Sequence, residues 1–218
     1  MLERNHLYAL AGLAVLTIGV AVGFLLVLPD TVPVHWDIRG EPDRFGSKWE
    51  IILLGPIFAI GIPAMLVGLF HLGPLRKNLE SSSKILGRII IVTTAALTCF
   101  YLIALLSAYG TRIDVGRAMA VILGIMLALM GNWLGKVRRN FWLGVRTPWT
   151  LMNEVVWEKT NRLAGRLFVA GGLVIALSGF IAPAIVCFFV FLGTTLGVCV
   201  ASTVYSYKLY RKVGEPAG

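Results

Sequence analysis

Ionisable and metal-ligating side chains are scarce in this chain. Among 218 residues there are three histidines, three cysteines and eleven aspartates plus glutamates, and charged residues of both signs reach only 14%. No HExxH or GxSxG string is present, and no pair of aspartates falls within an apolar run, so nothing marks a hydrolase or a metalloprotease. No CxxC or Cys/His spacing suited to zinc occurs either. Cys99, Cys187 and Cys199 all lie inside apolar runs. The last two are separated by about 18 Å along one helix, too far for a disulfide, so all three are expected to pack as small apolar residues. Hydrophilic domains, low-complexity tracts and clear internal repeats are also missing, which leaves a single domain over 1–218.

What fills the chain instead is hydrophobic. Such residues make up 57% of it, and mean hydropathy is +0.81. A soluble domain of that composition would expose far too much apolar surface, whereas a polytopic membrane protein hides it in lipid. Six runs are long enough to cross the hydrocarbon core as helices: 7–28, 51–72, 85–109, 118–135, 164–182 and 184–207. They are too long for barrel strands, and only helices satisfy their own backbone in lipid. The first is too long for a signal-peptide core, and the "LPDTVP" behind it has no small-residue cleavage site, so it is expected to be retained. The pairs Gly19/Gly23 and Gly193/Gly197 have the spacing that lets helices approach closely.

The formal charge of +9 is explained by where the cations sit. With the amino terminus inside, the inner segments hold Arg4, Arg76, Lys77, Lys84, Arg88, Lys136, Arg138, Arg139, Arg146, Lys159, Arg162, Arg166, Lys208, Arg211 and Lys212, fifteen of the twenty. The outer segments hold only Arg39, Arg44, Lys48, Arg112 and Arg117. Positive residues concentrate on the cytoplasmic side, so both termini are placed there. The basic balance then reflects topology and contact with membrane lipids, and direct nucleic acid binding is set aside. The fold class is an all-α integral membrane protein with about six transmembrane helices, one structured extracellular loop and one amphipathic cytoplasmic helix. Its parts are 7–72, two spans joined by the extracellular loop 29–50, and 85–207, four spans with the cytoplasmic loop 136–163.

Those two loops are richer than connection requires. Loop 29–50 carries Asp30, Asp37, Glu41, Asp43 and Glu50 against Arg39, Arg44 and Lys48, a net of −2. Prolines limit helix there, Gly40 and Gly46 permit tight turns, and Val32, Val34 and Trp36 alternate as in a short strand. His35, Asp37 and Asp43 are a weak candidate metal set. The favoured reading is a self-bonded loop whose carboxylates cap turns and pair with its cations. Its candidate binding residues for an extracellular partner are His35, Trp36, Asp37, Gly40, Asp43, Gly46 and Lys48.

The second loop lies in "GNWLGKVRRNFWLGVRTPWTLMNEVVWEKTNRLAG", 131–165. Pro148 biases Thr147 toward extended geometry, and Thr150 or Asn153 can cap a new helix with Glu154 in its first turn. Met152, Val155, Val156 and Leu163 form an apolar face, predicting a short interfacial helix on the inner leaflet ahead of span five. Trp133, Trp142, Trp149 and Trp157 read as an aromatic belt. The candidate partner-binding residues are Asn132, Asn140, Arg146, Thr147, Pro148, Trp149, Trp157, Thr160, Asn161 and Arg162, facing either a cytoplasmic protein or lipid headgroups.

These motifs carry a resemblance. "LPDTVPVHWDIRGEPDRFGSK" resembles the small domain of unknown function that often precedes SdpI-type membrane regions. "GN…RRNFWLGVRTPWTLMNEVVWEKTNRLAG" resembles the signature of the SdpI family, immunity proteins against a sporulation-delaying peptide toxin. The resemblance implies a multi-span protein of the bacterial cytoplasmic membrane that protects its host from a secreted, membrane-active peptide. Through the family's founding member it also implies capture of a transcriptional repressor at the membrane. The missing catalytic motifs lead to the expectation of no enzymatic step, and no cofactor is expected. Asn161 stands where relatives often carry histidine, and Gly135 where proline is common. The alternatives are a small-solute transporter and a metal-assisted membrane enzyme. The first is weakened because no ionisable group falls near the centre of a span: His71, Arg88 and Arg166 lie near span ends.

Overall fold

The computed structural model describes residues 2–72 and 82–213. Of the inner cations counted above, Arg76 and Lys77 lie outside the described residues. Among the described residues, six helices are long and apolar enough to cross a membrane: Arg4–Val27, Lys48–Phe70, Ser83–Ala108, Val115–Leu134, Glu154–Ile181 and Ala184–Val213. In chain order the elements are α1 (Arg4–Val27), a hairpin of β1 (Thr31–Trp36) and β2 (Pro42–Ser47), and α2 (Lys48–Pro56) leading through a π-helical turn (Ile57–Gly61) to α3 (Ile62–Leu72). Then follow α4 (Ser83–Ala108), α5 (Val115–Leu134), the single turn α6 (Pro148–Met152), α7 (Glu154–Ile181) and α8 (Ala184–Val213).

The expected extended stretch at 32–36 proves to be half of an antiparallel hairpin, so the fold is not purely helical. Thr31 opposes Ser47, Val32 opposes Gly46 and Pro33 opposes Phe45, with register shifts on either side of His35. Val32 is fully buried, and Val34 and Trp36 pack on the same cluster of Ala21, Leu28, Ile51, Ile52, Tyr101 and Leu105. The alternating side chains therefore bind the hairpin to the ends of α1, α2 and α4. Ser47 closes the hairpin and starts α2 in one step, through a capping box with Glu50.

The second span is broken by chemistry local to Pro56. Proline has no N–H, so the carbonyl of Ile52 loses its partner one turn back, and the chain relaxes into the π turn that follows. The Tyr101 hydroxyl of α4 donates to that Ile52 carbonyl at 3.3 Å in a buried contact. Tyr101→Phe is thus expected to leave the carbonyl unpaired and cost about 1–2 kcal/mol. A lowered melting temperature in detergent, with the hairpin still resistant to protease, would show it; an unchanged melt would reject it.

Two expectations about the helices need correction. Gly19, Gly23, Gly193 and Gly197 have nothing within 4 Å of a built Cβ, so neither pair is a helix contact. Close approach happens instead between α5 and α7, along glycines seven residues apart. Gly124 faces the Gly172 carbonyl, Gly131 faces the Gly165 carbonyl, and Gly179 faces the Arg117 carbonyl. A seven-residue repeat keeps small residues on one stripe of each helix, so two antiparallel backbones can run nearly in contact.

The separate interfacial helix is also not found. Val155, Val156 and Leu163 fall in the first three turns of α7, which runs unbroken from Glu154 into the fifth span, and Met152 ends the single turn α6. No proline interrupts it, and the face turned inward is Val156, Trp157, Thr160, Asn161, Ala164 and Gly165. Met152 and Val155, placed on the apolar face by sequence, are exposed. Buried threonine and asparagine hid the true periodicity, because the sequence reading counts only apolar residues. Cys187 is buried as expected, whereas Cys99 and Cys199 are exposed on the bundle surface.

Candidate functional site: a groove under the hairpin

One end of the bundle carries the hairpin, the α4–α5 connection and the α7–α8 turn. Three backbones meet there. Gly40, at φ +78°, sits so close to Gly116 that a Cβ would lie 2.7 Å from the Gly116 nitrogen, and a Cβ on Gly116 would lie 2.5 Å from that of Ala184. Only glycine meets both demands at Gly40, a left-handed φ and no side chain. Asp37 shapes the tip, its Oδ1 accepting from the Arg39 and Glu41 amides at 2.8 and 3.0 Å. Trp36 anchors the strand end, its Nε1 donating to Ser107 Oγ of α4 at 3.1 Å.

Beyond this junction the hairpin overhangs a cavity of about 340 Å³. Its floor is Val115, Met119 and Leu123 of α5 with Phe188 and Phe191 of α8, and its rim is His35, Trp36, Asp37 and Ile38. The size and the apolar lining under a few polar groups suit an apolar side chain or the end of an amphipathic peptide. Arg117 stiffens the wall, donating to the Gly179 and Phe180 carbonyls at 2.9 and 2.5 Å. Those carbonyls close α7 and have no helical partner of their own, so one guanidinium ties α5 to the end of α7.

Four of the seven hairpin residues named from sequence, His35, Trp36, Asp37 and Gly40, line the cavity; Asp43, Gly46 and Lys48 do not. His35 Nδ1 lies 2.6 Å from Asp43 Oδ1 across the strands. Asp37, occupied with the turn, joins no cluster with them. Lys48 lies 3.1 Å from Asp30 and Arg44 lies 3.4 Å from Glu50, the self-bonded arrangement favoured above. Gly46 leaves room for the Glu50 carboxylate. The sequence reading missed the α5 and α8 floor, because an apolar residue lining a groove looks like one facing lipid.

The opposite end holds the loop between α5 and α7, and here most named residues work inward. Asn140, fully buried, donates to the Arg138 and Leu143 carbonyls and accepts from the Trp142 and Leu143 amides. Asn161 reaches from α7 to accept from the Val145 amide at 2.7 Å and donates to the Trp157 carbonyl. Thr147, extended before Pro148 as predicted, caps α6 and meets Ser206 of α8 at 3.1 Å. Thr150 and Thr160 are buried, and Trp157 is buried with Nε1 donating to the Val137 carbonyl at 2.9 Å. Trp157 is thus a core residue rather than part of a belt, and Trp142 packs on Phe70, Leu86 and Ile90. Asn132, Arg146 and Arg162 remain exposed, with Arg146 donating to the Phe141 carbonyl and Arg162 paired with Glu158. Trp149 packs at a tilt against Tyr207, ring centroids 5.1 Å apart.

Comparison with known proteins bears out the resemblance read from these two loops. Residues 136–206 match the SdpI/YfhL protein family, and residues 12–60 match a domain of unknown function, DUF1648. The chain is 26% identical over 189 residues to the immunity protein SdpI of Bacillus subtilis (strain 168), covering 85% of this chain and 86% of that one. A 40-residue stretch is 50% identical to an uncharacterized protein of Archaeoglobus fulgidus, covering 18% of this chain and 21% of that one. No solved structure matches.

Proposed function

We propose that this chain, similar to the immunity protein SdpI over most of its length, is a membrane immunity protein that meets a secreted, membrane-active peptide in the groove under its hairpin. The observation that carries the reading is likeness to an immunity protein over most of both chains. The groove supplies a physical place for it. A membrane-active peptide carries apolar side chains that prefer such a lining to water, and the rim of His35 and Asp37 offers polar contacts at its mouth. In this reading the hairpin end is extracellular and both termini are cytoplasmic, in line with the bias of lysine and arginine. The region of the exposed Arg146 and the half-buried Trp149 would then face the cytoplasm, where a transcriptional repressor is the proposed partner.

Expression in a host killed by the sporulation-delaying peptide tests the proposal. The wild-type chain is expected to raise the peptide dose needed for killing at least about tenfold, which corresponds to a binding advantage of about 1.4 kcal/mol. Met119→Trp, which fills the groove floor, is expected to remove most of that protection at an unchanged membrane level of protein. Failure of the wild type to protect would reject immunity to this peptide. Full protection by Met119→Trp would reject the groove as its site.

A further inference from the structure

At the end of the bundle opposite the hairpin, α4 and α5 enclose a second kind of space. A cavity of about 420 Å³ is lined by Ser82, Ser83, Lys84, Arg88, Trp133, Lys136 and Arg138 among others. Four of these are cations, and no carboxylate lines the cavity among the described residues. Lys84 has Glu3 at 3.9 Å. Arg88, Lys136 and Arg138 have no acidic partner among the described residues. Four cations facing one opening repel each other, and an anion placed among them relieves that repulsion.

The same seam continues into the apolar part of the bundle. One helical turn further on, α4 and α5 form a shallow groove of about 190 Å³ lined by Val92, Ala95, Ala96, Cys99, Ile122, Ile125, Met126 and Leu129, without a polar side chain apart from the thiol. The two spaces share one face of each helix: residues 85, 88, 92, 95 and 99 of α4 recur every three or four positions, as do 122, 126, 129 and 133 of α5. Arg88 to Cys99 spans about 16 Å of helix, close to one leaflet's share of a hydrocarbon core of about 30 Å. A basic cavity at headgroup depth, joined to an acyl-length apolar groove, is complementary to one molecule with both features.

We infer that the α4–α5 seam is a binding site for an anionic diacyl phospholipid, its phosphate held by Arg88, Lys136 and Arg138 and one acyl chain lying against Ala95, Ala96 and Cys99. The anionic lipid of the cytoplasmic leaflet is the natural occupant, since the basic end faces it in the proposed topology. Ordinary snorkelling cations contact any headgroup in passing; a cavity with a groove attached retains one lipid through purification.

Reconstitution in nanodiscs of equal parts phosphatidylglycerol and phosphatidylcholine, followed by native mass spectrometry of the full chain in detergent, tests the site. Phosphatidylglycerol is expected to be retained over phosphatidylcholine by about thirtyfold. Loss of two cations in Arg88→Gln/Lys136→Gln should remove about thirtyfold of affinity and bring retention to parity. Lys208→Gln/Arg211→Gln, two cations of α8 away from the seam, should change nothing. In the wild type, phosphatidylglycerol with a photoreactive acyl chain should crosslink chiefly within 92–99 and 122–129, a readout that does not depend on any variant folding. Equal retention of the two lipids, equal loss in the α8 control, or crosslinks spread over all six spans would each overturn the assignment. So would displacement of the lipid by millimolar inorganic phosphate, which would mark a free-phosphate site.

Discussion

Gly172→Leu is expected to prevent the bundle from assembling, while Gly197→Leu leaves it intact. Both glycines lie within apolar helices, and nothing in their flanking residues separates them. A Cβ at 172 would sit 2.5 Å from the Gly124 carbonyl and 2.6 Å from the Ala128 nitrogen, whereas one at 197 meets nothing within 4 Å. The obstructing atoms are backbone on the facing helix, so no rotamer change makes room. Relief requires α5 and α7 to separate along the stripe that also holds Gly131 and Gly165. Overpacking of well-fitted interfaces costs roughly 1–3 kcal/mol and more where backbone must move, and this case is of the second kind. Thermal melts and the monodisperse fraction on size exclusion in detergent measure it. If Gly172→Leu melted with the wild type, the close α5–α7 packing would be wrong.

Asn140→Ala is the second large effect, and it acts on the loop rather than on the spans. The side chain makes four hydrogen bonds to its own loop, between 2.7 and 3.1 Å. Truncation strips the Trp142 and Leu143 amides and two carbonyls of their partners at once. Water can rescue some of these only if the loop opens. An effect of about 2–4 kcal/mol on local stability is expected, since each stranded buried group costs about 1–3 kcal/mol and some relax. Trypsin sites at Arg138, Arg139 and Arg146 give the readout, and cleavage should accelerate by roughly thirtyfold or more as the open state becomes populated. Asn140→Asp keeps the acceptor but loses both donors, so it should fall between. Unchanged proteolysis in Asn140→Ala would show that Asn161 and Thr147 hold the loop without it.

The same residues of the loop have an internal role that residue type alone does not show. Asn140, Asn161, Thr147, Thr150 and Trp157 look like a recognition surface because polar and aromatic side chains often are one. In place, their polar atoms are consumed by loop backbone and by α8. Asn161 serves Val145 as acceptor and Trp157 as donor at any pH, a dual role an amide fills with a single side chain. The hairpin behaved differently. Val32, Val34 and Trp36 announced a strand, and Gly40 a turn, because period-two alternation and positive φ are local properties. The groove beneath was invisible, since Met119 and Phe191 come together only when α5 and α8 pack.

Sequence alone determined the membrane class, the six spans to within a few residues at most ends, the charge bias between loops and the resemblance that the comparisons bear out. These follow from composition and from short-range patterns, which a linear chain displays in full. Tertiary structure decided which glycines meet, which asparagines face inward, and where groove and basic seam lie. Lipid removes the difference between inside and outside that polarity marks in water, so an apolar residue in a span announces its depth but not its partner. Only packing assigns the partner.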